Sequence, residues 1–435
     1  MLTDFMSKYE ENIKEFIGGT DPVFIYGNGE FSKILQSYFS EERINIHGIF
    51  VTQKFKDTDS KVIEYDALKY KDVKIIMGVS EKNQNEIITN TLPSSAQILC
   101  LPDKYFSSLK FILSVKTKDA NDNWTYLGYK KTLDYLENGS KTVIFRRQSG
   151  LGDVLNAEPT CAAVKAEGYR VGFITDYPEL FYYNDSVDYL VTSSSEPVCK
   201  IKNTIYISLH DAHESIPFQH MALSNFKRAQ IYIPNIKIRE KFIPNYDENL
   251  VKYHPLNSKK ICMNAEVTVG WDSKLYSHER MREFGLYLKS KGYEIYEVGL
   301  KHENYLGVGK DCYGLELHDS AKVMSDTDLY IGLDNGLMHL AEALRIPIFC
   351  IFGCTCPLYL VHDWEQARVL WKNSREVPCA ACYNRRRIPH RMAICNKDKF
   401  YCLDWSVDEL IYAFENSLYN NPPKVEEDMF EPLFE

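Results

Sequence analysis

Short apolar runs alternate with amphipathic stretches along most of this chain. The first twenty residues space their apolar positions at helical intervals and stop at Gly18-Gly19. Pro22–Tyr26 then predicts a strand, Phe31–Phe39 a helix, and Ile46–Val51, Val73–Val79 and Ile98–Leu101 further strands. Residues 103–140 read as mostly helical and polar, closing on the turn residues Glu137–Ser140. A second series opens at Thr142–Arg146, continues through a helix to Glu167, and adds strands at Val171–Thr175, Tyr189–Val191 and Thr204–Ser208. Residues 216–250, rich in aromatics and proline, supply a helix and an interdomain link. A third series runs Lys259–Met263, a helix over His278–Lys291, and strands at Glu294–Val298 and Leu329–Leu333. Leu337–Arg345 then places Leu337, Leu340, Ala341 and Leu344 on one helical face, Pro347 stops that helix, and Ile348–Phe352 is a buried strand. Strand alternating with helix is the pattern of parallel α/β sheets. Ser406 and Glu409 form a capping box before a last helix to Leu418.

Composition narrows the classes. At 435 residues the chain holds two or three domains, and 45% hydrophobic content supplies their cores. A net charge of −9 argues against nucleic acid as the main partner. No run reaches the roughly 20 apolar residues of a membrane span, and MLTDFMSKYEENIKEF lacks the apolar centre of a signal peptide. A cytoplasmic protein is the expectation. Cys100, Cys262 and Cys350 read as small apolar fillers of buried strands.

Three glycine turns join a strand to a helix. At Asp334-Asn335-Gly336 the helix start directs unpaired N–H groups at whatever lies above the strand end, which suits a phosphate. Gly336 admits close approach, Asp334 either caps the helix or accepts from a ribose hydroxyl, and His339 lies on the first turn. The second turn, Gln148–Asp153, ends with Asp153 at a helix start, where an N-cap is the plain alternative. Arg146 and Arg147 precede it as candidate pyrophosphate or acceptor contacts. The third, Gly27–Ser32, departs from the dinucleotide fingerprint, because its third glycine is missing and Ile49-Phe50-Val51 carries no acid. It serves either a nucleotide pocket or plain strand–helix packing. His210–Glu214 reads as an acceptor contact at a strand end.

Cys379-x-x-Cys382, Cys395 and Cys402 have the spacing of a four-thiolate site for iron or zinc. Four thiolates leave no open position, so the metal is structural. Arg385–Arg387 and Arg391 make the surrounding loop basic.

D-N-G-L-M-H-L-A-E-A-L, followed by Phe352-Gly353 and Pro357, resembles the donor motif of glycosyltransferase family 9, the ADP-heptose heptosyltransferases. That motif has Thr where this chain has Asn335. Gly152, Asp153, Leu155 and Pro159 match the family's second motif. The resemblance covers about residues 141–403. It implies a GT-B architecture of two Rossmann-like halves, here preceded by a small Rossmann-like domain: 1–138, then an acceptor half at 139–255 and a donor half at 256–435. It implies Asp153 as catalytic base, with Lys274, Thr268, Glu303, Asp334, Asn335, Gly336 and His339 around the donor. The implied reaction is inverting transfer from a nucleotide sugar, ADP-heptose, to a glycan or protein hydroxyl, with no catalytic metal. The four-cysteine loop is similar to the iron-binding fingers of heptosyltransferases that modify autotransporter proteins, which points to a protein acceptor and a homo-oligomer. The rivals are a non-catalytic sugar-nucleotide-binding or assembly subunit, and an NAD-dependent enzyme using Gly27–Ser32.

Overall fold

The structure, a computed structural model, describes residues 1–51, 62–66, 70, 72–92, 95–137, 139–192, 199–215, 218–237, 242–252, 259–385, 395 and 399–416. The expected domain boundaries at 138 and 255 fall on residues outside this set. Contacts divide the chain into two compact units, 1–144 with 188–205, and 145–187 with 206–435.

The first unit begins with α1 (Leu2–Ile17), which buries Leu2, Met6 and Ile13 along one face. Five parallel strands follow: β1 (Val23–Tyr26), β2 (Gly48–Val51), β3 (Val62–Glu64), β4 (Lys74–Met77) and β5 (Gln97–Cys100), in the order β3-β2-β1-β4-β5. Helices α2 (Glu30–Glu41) and α3 (Glu81–Asn90) are the crossovers. Strands β1 and β4 are buried along their length, and Phe24 stacks on Phe50 at 4.1 Å. The strand order reverses between β1 and β4, where an open α/β sheet ordinarily takes a ligand. Gly27 and Gly78 pack closely beside that point: a Cβ on Gly27 would lie 2.7 Å from Val79, and one on Gly78 would lie 3.0 Å from Ser32. Gly27 thus serves close packing, whereas a Cβ on Gly29 would meet nothing within 4 Å. Cys100, expected to be buried, is exposed at the end of edge strand β5.

The helical reading of 103–140 needs correction. Between α4 (Asp103–Leu113) and α5 (Tyr129–Glu137) lies a hairpin of β6 (Val115–Lys118) and β7 (Trp124–Tyr126). Its turn is made by Asp119, whose carboxylate accepts from the N–H groups of Asn121 and Asn123. Strand Tyr189–Val191 adds to β6 in antiparallel register. A cavity of about 630 Å³ lies along α2, lined in part by Gly29, Lys33, Lys110 and Tyr126. Gly29 and Glu30 of the Gly27–Ser32 turn are among its lining residues, so the nucleotide-pocket alternative for that turn has a cavity beside it.

The second unit opens where β8 (Thr142–Arg146) ends. Arg147 N–H donates to the Ile174 carbonyl at the end of β9 (Arg170–Ile174), and Leu209 N–H donates to Arg146 after β11 (Thr204–Ser208), β10 being the strand Tyr189–Val191. Helices α6 (Leu151–Leu155), α7 (Glu158–Ala166) and α8 (Met221–Gln230) accompany these strands. The last sheet is parallel throughout: β12 (Lys260–Met263), β13 (Glu294–Gly299), β14 (Lys310–Tyr313), β15 (Leu329–Leu333), β16 (Ile348–Ile351) and β17 (Ala367–Leu370), ordered β14-β13-β12-β15-β16-β17. Helices α9 (His278–Ser290), α10 (Leu317–Ser325) and α11 (Gly336–Ala343) connect it, and α12 (Cys382–Arg385) and α13 (Val407–Asn416) follow. Its apolar core gathers Met263, Phe284, Ile331, Phe349 and Phe414. The α/β class with Rossmann-like parallel sheets agrees with the sequence. No helix among the described residues is long and apolar enough to cross a membrane.

Candidate functional site

In the last sheet the strand order reverses between β12 and β15, so their carboxyl ends flank a crevice. Asn335, extended at φ −151°, caps α11: its Oδ1 accepts from Met338 N–H at 3.0 Å. Its amide donates to Asn264 Oδ1 at 2.6 Å and to the Glu266 carbonyl at 2.7 Å, tying the two loops together. A threonine cannot make both of these donations, so Asn335 is a purposeful departure from the motif. The cap is therefore Asn335, which frees Asp334 for another role.

Asp334 is 3% exposed and pairs with Lys274 Nζ at 2.7 Å. Thr355 Oγ1 donates to the same carboxylate. Burial alone would raise the Asp334 pKa, but Lys274, Thr355 and His339 hold it below the usual carboxylate value. Burial would likewise lower Lys274, and Asp334 outweighs it and raises the ammonium. The site thus keeps a buried cation at the end of β15. Trp271 lies 4.7 Å beneath that ammonium. Gly353 lets the Ser273 carbonyl approach where a Cβ would stand 2.1 Å away, which locks the Lys274 loop onto the turn carrying Thr355.

The other turn begins at Gly150, whose φ of 84° a side chain rarely adopts. A Cβ there would stand 2.3 Å from Asp153 Oδ2. Helix α6 starts after Gly150, so Asp153 lies within the first turn and is not the cap residue. Its carboxylate is oriented by Arg147 Nη2 at 2.5 Å, and Glu214 lies 3.5 Å from the same guanidinium. Arg147 stays fully cationic: burial works against it, and Asp153 with Glu214 overcomes that. His213 is buried and its pKa is lowered, by burial first, with Glu214 and Asp153 opposing. Tyr383 is raised by burial and by the same two carboxylates.

These two turns touch. A Cβ on Gly152 would stand 2.5 Å from His339 Cδ2, and one on Gly336 would stand 2.9 Å from Leu151. The backbone of α6 thus rests on the first turn of α11, and Asp153 and Lys274 fall within electrostatic reach of each other. Gly152→Ala should force the two helix starts apart, costing about 1–3 kcal/mol as an overpacked contact. Urea unfolding measures this, and a variant as stable as the parent would contradict the packing.

Of the predicted donor residues, Lys274, Asp334, Asn335, Gly336 and His339 come together. His339 is buried, with its ring against Gly152. Thr268 lies on an exposed turn, and the Glu303 carboxylate stands in solvent 3.8 Å from Lys301. Arg147, His213 and Glu214 join the Asp153 side, and Thr355, Trp271 and Tyr383 complete it without having been assigned from sequence.

The segment after Cys379 packs on the donor turn: Tyr383 N–H donates to the Cys354 carbonyl and Asn384 Oδ1 accepts from Cys356 N–H. Arg385, expected to be part of a basic surface, is buried and donates to the Pro378 carbonyl at 3.1 Å. Arg386, Arg387 and Arg391 lie outside the described residues. Cys402 is buried and its thiol is pushed up to about 12, by burial first, with Cys354, Cys379 and Cys395 adding to it. Among the described residues no three of the four predicted cysteine ligands fall in one group as tight as 4.8 Å.

Residues 230–387 match the sequence profile of glycosyltransferase family 9 (heptosyltransferase), and over that stretch the chain is heptosyltransferase-like. Among characterised proteins compared by sequence, none matches. Similar solved structures include the iron-containing dodecameric glycosyltransferase TibC of enterotoxigenic E. coli H10407, at 17% identity and TM-score 0.47, covering 63% of this chain and 75% of that one. A family 9 glycosyl transferase from Veillonella parvula DSM 2008 aligns at 17% identity and TM-score 0.47, covering 65% and 98%. E. coli heptosyltransferase WaaC with ADP-2-deoxy-2-fluoro heptose aligns at 13% identity and TM-score 0.41, covering 53% and 92%.

Proposed function

We propose that this chain, heptosyltransferase-like over residues 230–387, transfers heptose from ADP-heptose to a hydroxyl of a glycan or protein acceptor, with inversion at the anomeric carbon. The observation that carries the reading is the contact of the two glycine turns, Gly152 on His339 and Gly336 on Leu151. That contact sets a carboxylate beside an anion-binding helix start and a buried ammonium.

In this reading Asp153 accepts the acceptor's hydroxyl proton as its oxygen bonds to the anomeric carbon. The bond from that carbon to the β-phosphate oxygen breaks, and ADP departs. The N–H groups at the start of α11 and the Lys274 ammonium hold the growing charge, so the chemistry needs no metal. Arg147 fixes the Asp153 carboxylate, and Asp334 fixes Lys274. The organisation we propose is GT-B, with halves at 139–255 and 256–435 behind an N-terminal domain at 1–138.

The test is ADP release from ADP-heptose by the purified chain, given a lipopolysaccharide core or an autotransporter passenger as acceptor. Turnover with either supports transfer. Failure to bind the donor would sink the reading, and binding without turnover on both acceptors would favour a non-catalytic sugar-nucleotide-binding subunit.

Cys379, Cys382, Cys395 and Cys402 suit iron or zinc by the chemistry of their donors, and Cys402 already feels two of the others. Bound there, the metal would supply stability and no chemistry. Elemental analysis should find it in the parent and find it reduced in Cys379→Ser/Cys382→Ser; equal content in both would exclude these ligands.

A further inference from the structure

The structure places Glu342 in an unusual setting for a carboxylate. It lies one turn after His339 on α11, with both side chains buried. His339 Nδ1 is 3.6 Å from Glu342 Oε2, too long for a hydrogen bond. The other carboxylate oxygen accepts from the backbone N–H of His362 at 2.7 Å. That bond brings the His362 ring over the same point. One ligand atom from each of the three residues lies within 4.8 Å of the others.

Four polar atoms here are shut from solvent without a well-formed hydrogen bond: His339 Nδ1, Glu342 Oε2, and both ring nitrogens of His362, whose nearest backbone acceptor is Phe242. Each such orphan ordinarily costs about 1–3 kcal/mol. Three converging on one point indicate a missing partner common to all. The His220 ring packs 4.5 Å from that of His362, and its Nε2 has only the Val361 backbone as a loose partner.

We propose that His339, Glu342 and His362 bind a divalent transition-metal ion, zinc or ferrous iron. Two imidazoles and a carboxylate suit such borderline ions, whereas calcium and magnesium take oxygen donors. Ligands about 2.0–2.2 Å from zinc stand closer together than these atoms do, so the side chains draw inward on binding. The ion would tie the first turns of α11 to the segment at His362. Because the opposite edge of the His339 ring rests on Gly152, it would also steady the contact between the two glycine turns. The site is distinct from the four cysteines in both donors and residues.

Metal-stripped protein titrated with cobalt should take up, beside any equivalent at the four cysteines, one equivalent whose ligand-field bands carry no sulfur-to-metal charge transfer. Glu342→Gln, which keeps the shape and the acceptor for His362 N–H, and His362→Gln should each lose that equivalent, with at least tenfold weaker binding. Uptake unchanged in these variants, when their circular dichroism shows them folded, would overturn the proposal. The parent decides alone if they misfold. X-ray absorption must then show a nitrogen- and oxygen-coordinated cobalt, and coordination by sulfur alone, or no uptake, would overturn it.

Discussion

Lys274→Met should destabilise the protein by about 3–5 kcal/mol at neutral pH, the usual result of leaving one partner of a buried ion pair behind. Asp334 is 3% exposed and would keep only the Thr355 hydroxyl as a close donor. The pH dependence follows from the shifts. In the parent, Asp334 is depressed, so its stabilising contribution is complete above the unfolded value near pH ~4 and is lost as pH falls through the lower folded value. Lys274 is raised, so its contribution is complete below about pH 10 and is lost as pH rises through the higher folded value. The parent's pair therefore contributes fully between those limits. In Lys274→Met, burial dominates and raises Asp334, so the deficit should shrink as pH falls and the carboxyl takes up a proton. Urea unfolding at pH 7 and pH 5 measures this. A deficit that is constant or grows toward acid would mean the pair is not what holds the loop. Lys274→Met/Asp334→Leu should recover much of the loss, because it removes the orphan charge.

Asp153→Asn should slow transfer by about 10²–10⁴-fold, the range of a positioned general base, while donor affinity stays at the parent's level. Asparagine retains the shape and one acceptor oxygen for Arg147, so folding should be little affected. Glu214, 3.5 Å from the same guanidinium, keeps Arg147 paired. Steady-state rates with saturating donor, together with calorimetric titration of ADP, separate the two effects. Undiminished turnover would remove Asp153 from the chemistry. Loss of ADP binding would make it a structural residue of the turn.

The Asp334–Gly336 turn was legible in the sequence because its chemistry is local. An Asx-Gly pair between a short apolar strand and a helical stripe specifies a strand–turn–helix, and the observed helix begins at Gly336 as read. What the sequence left ambiguous was the division of labour between neighbours. Either Asp334 or Asn335 can cap, and the choice depends on Asn264, about seventy residues away in the chain, which engages Asn335 and leaves Asp334 to Lys274. Lys274 was named through a family likeness, while its burial comes from long-range packing of Gly353 on Ser273. Thr355 and Tyr383 gave no signal of their own, since single hydroxyl residues beside a cysteine knuckle suggest nothing until the knuckle is seen packed on the turn. Thr268 and Glu303 were named through the family likeness alone, and both stand at the exposed surface. The 115–126 hairpin was missed because its strands span four and three residues, and their polar alternation resembles the solvent face of a helix.

In the proposed mechanism a diphosphate sits at the start of α11, between Gly336 and Lys274. The most direct measurement is the position of ADP in crystals of the protein grown with ADP-heptose. The expected density places the β-phosphate in hydrogen-bond contact with the α11 N–H groups and the Lys274 ammonium, with Asp153 facing the sugar. Density for the nucleotide over the Gly27–Ser32 turn, with the α11 turn empty, would contradict it.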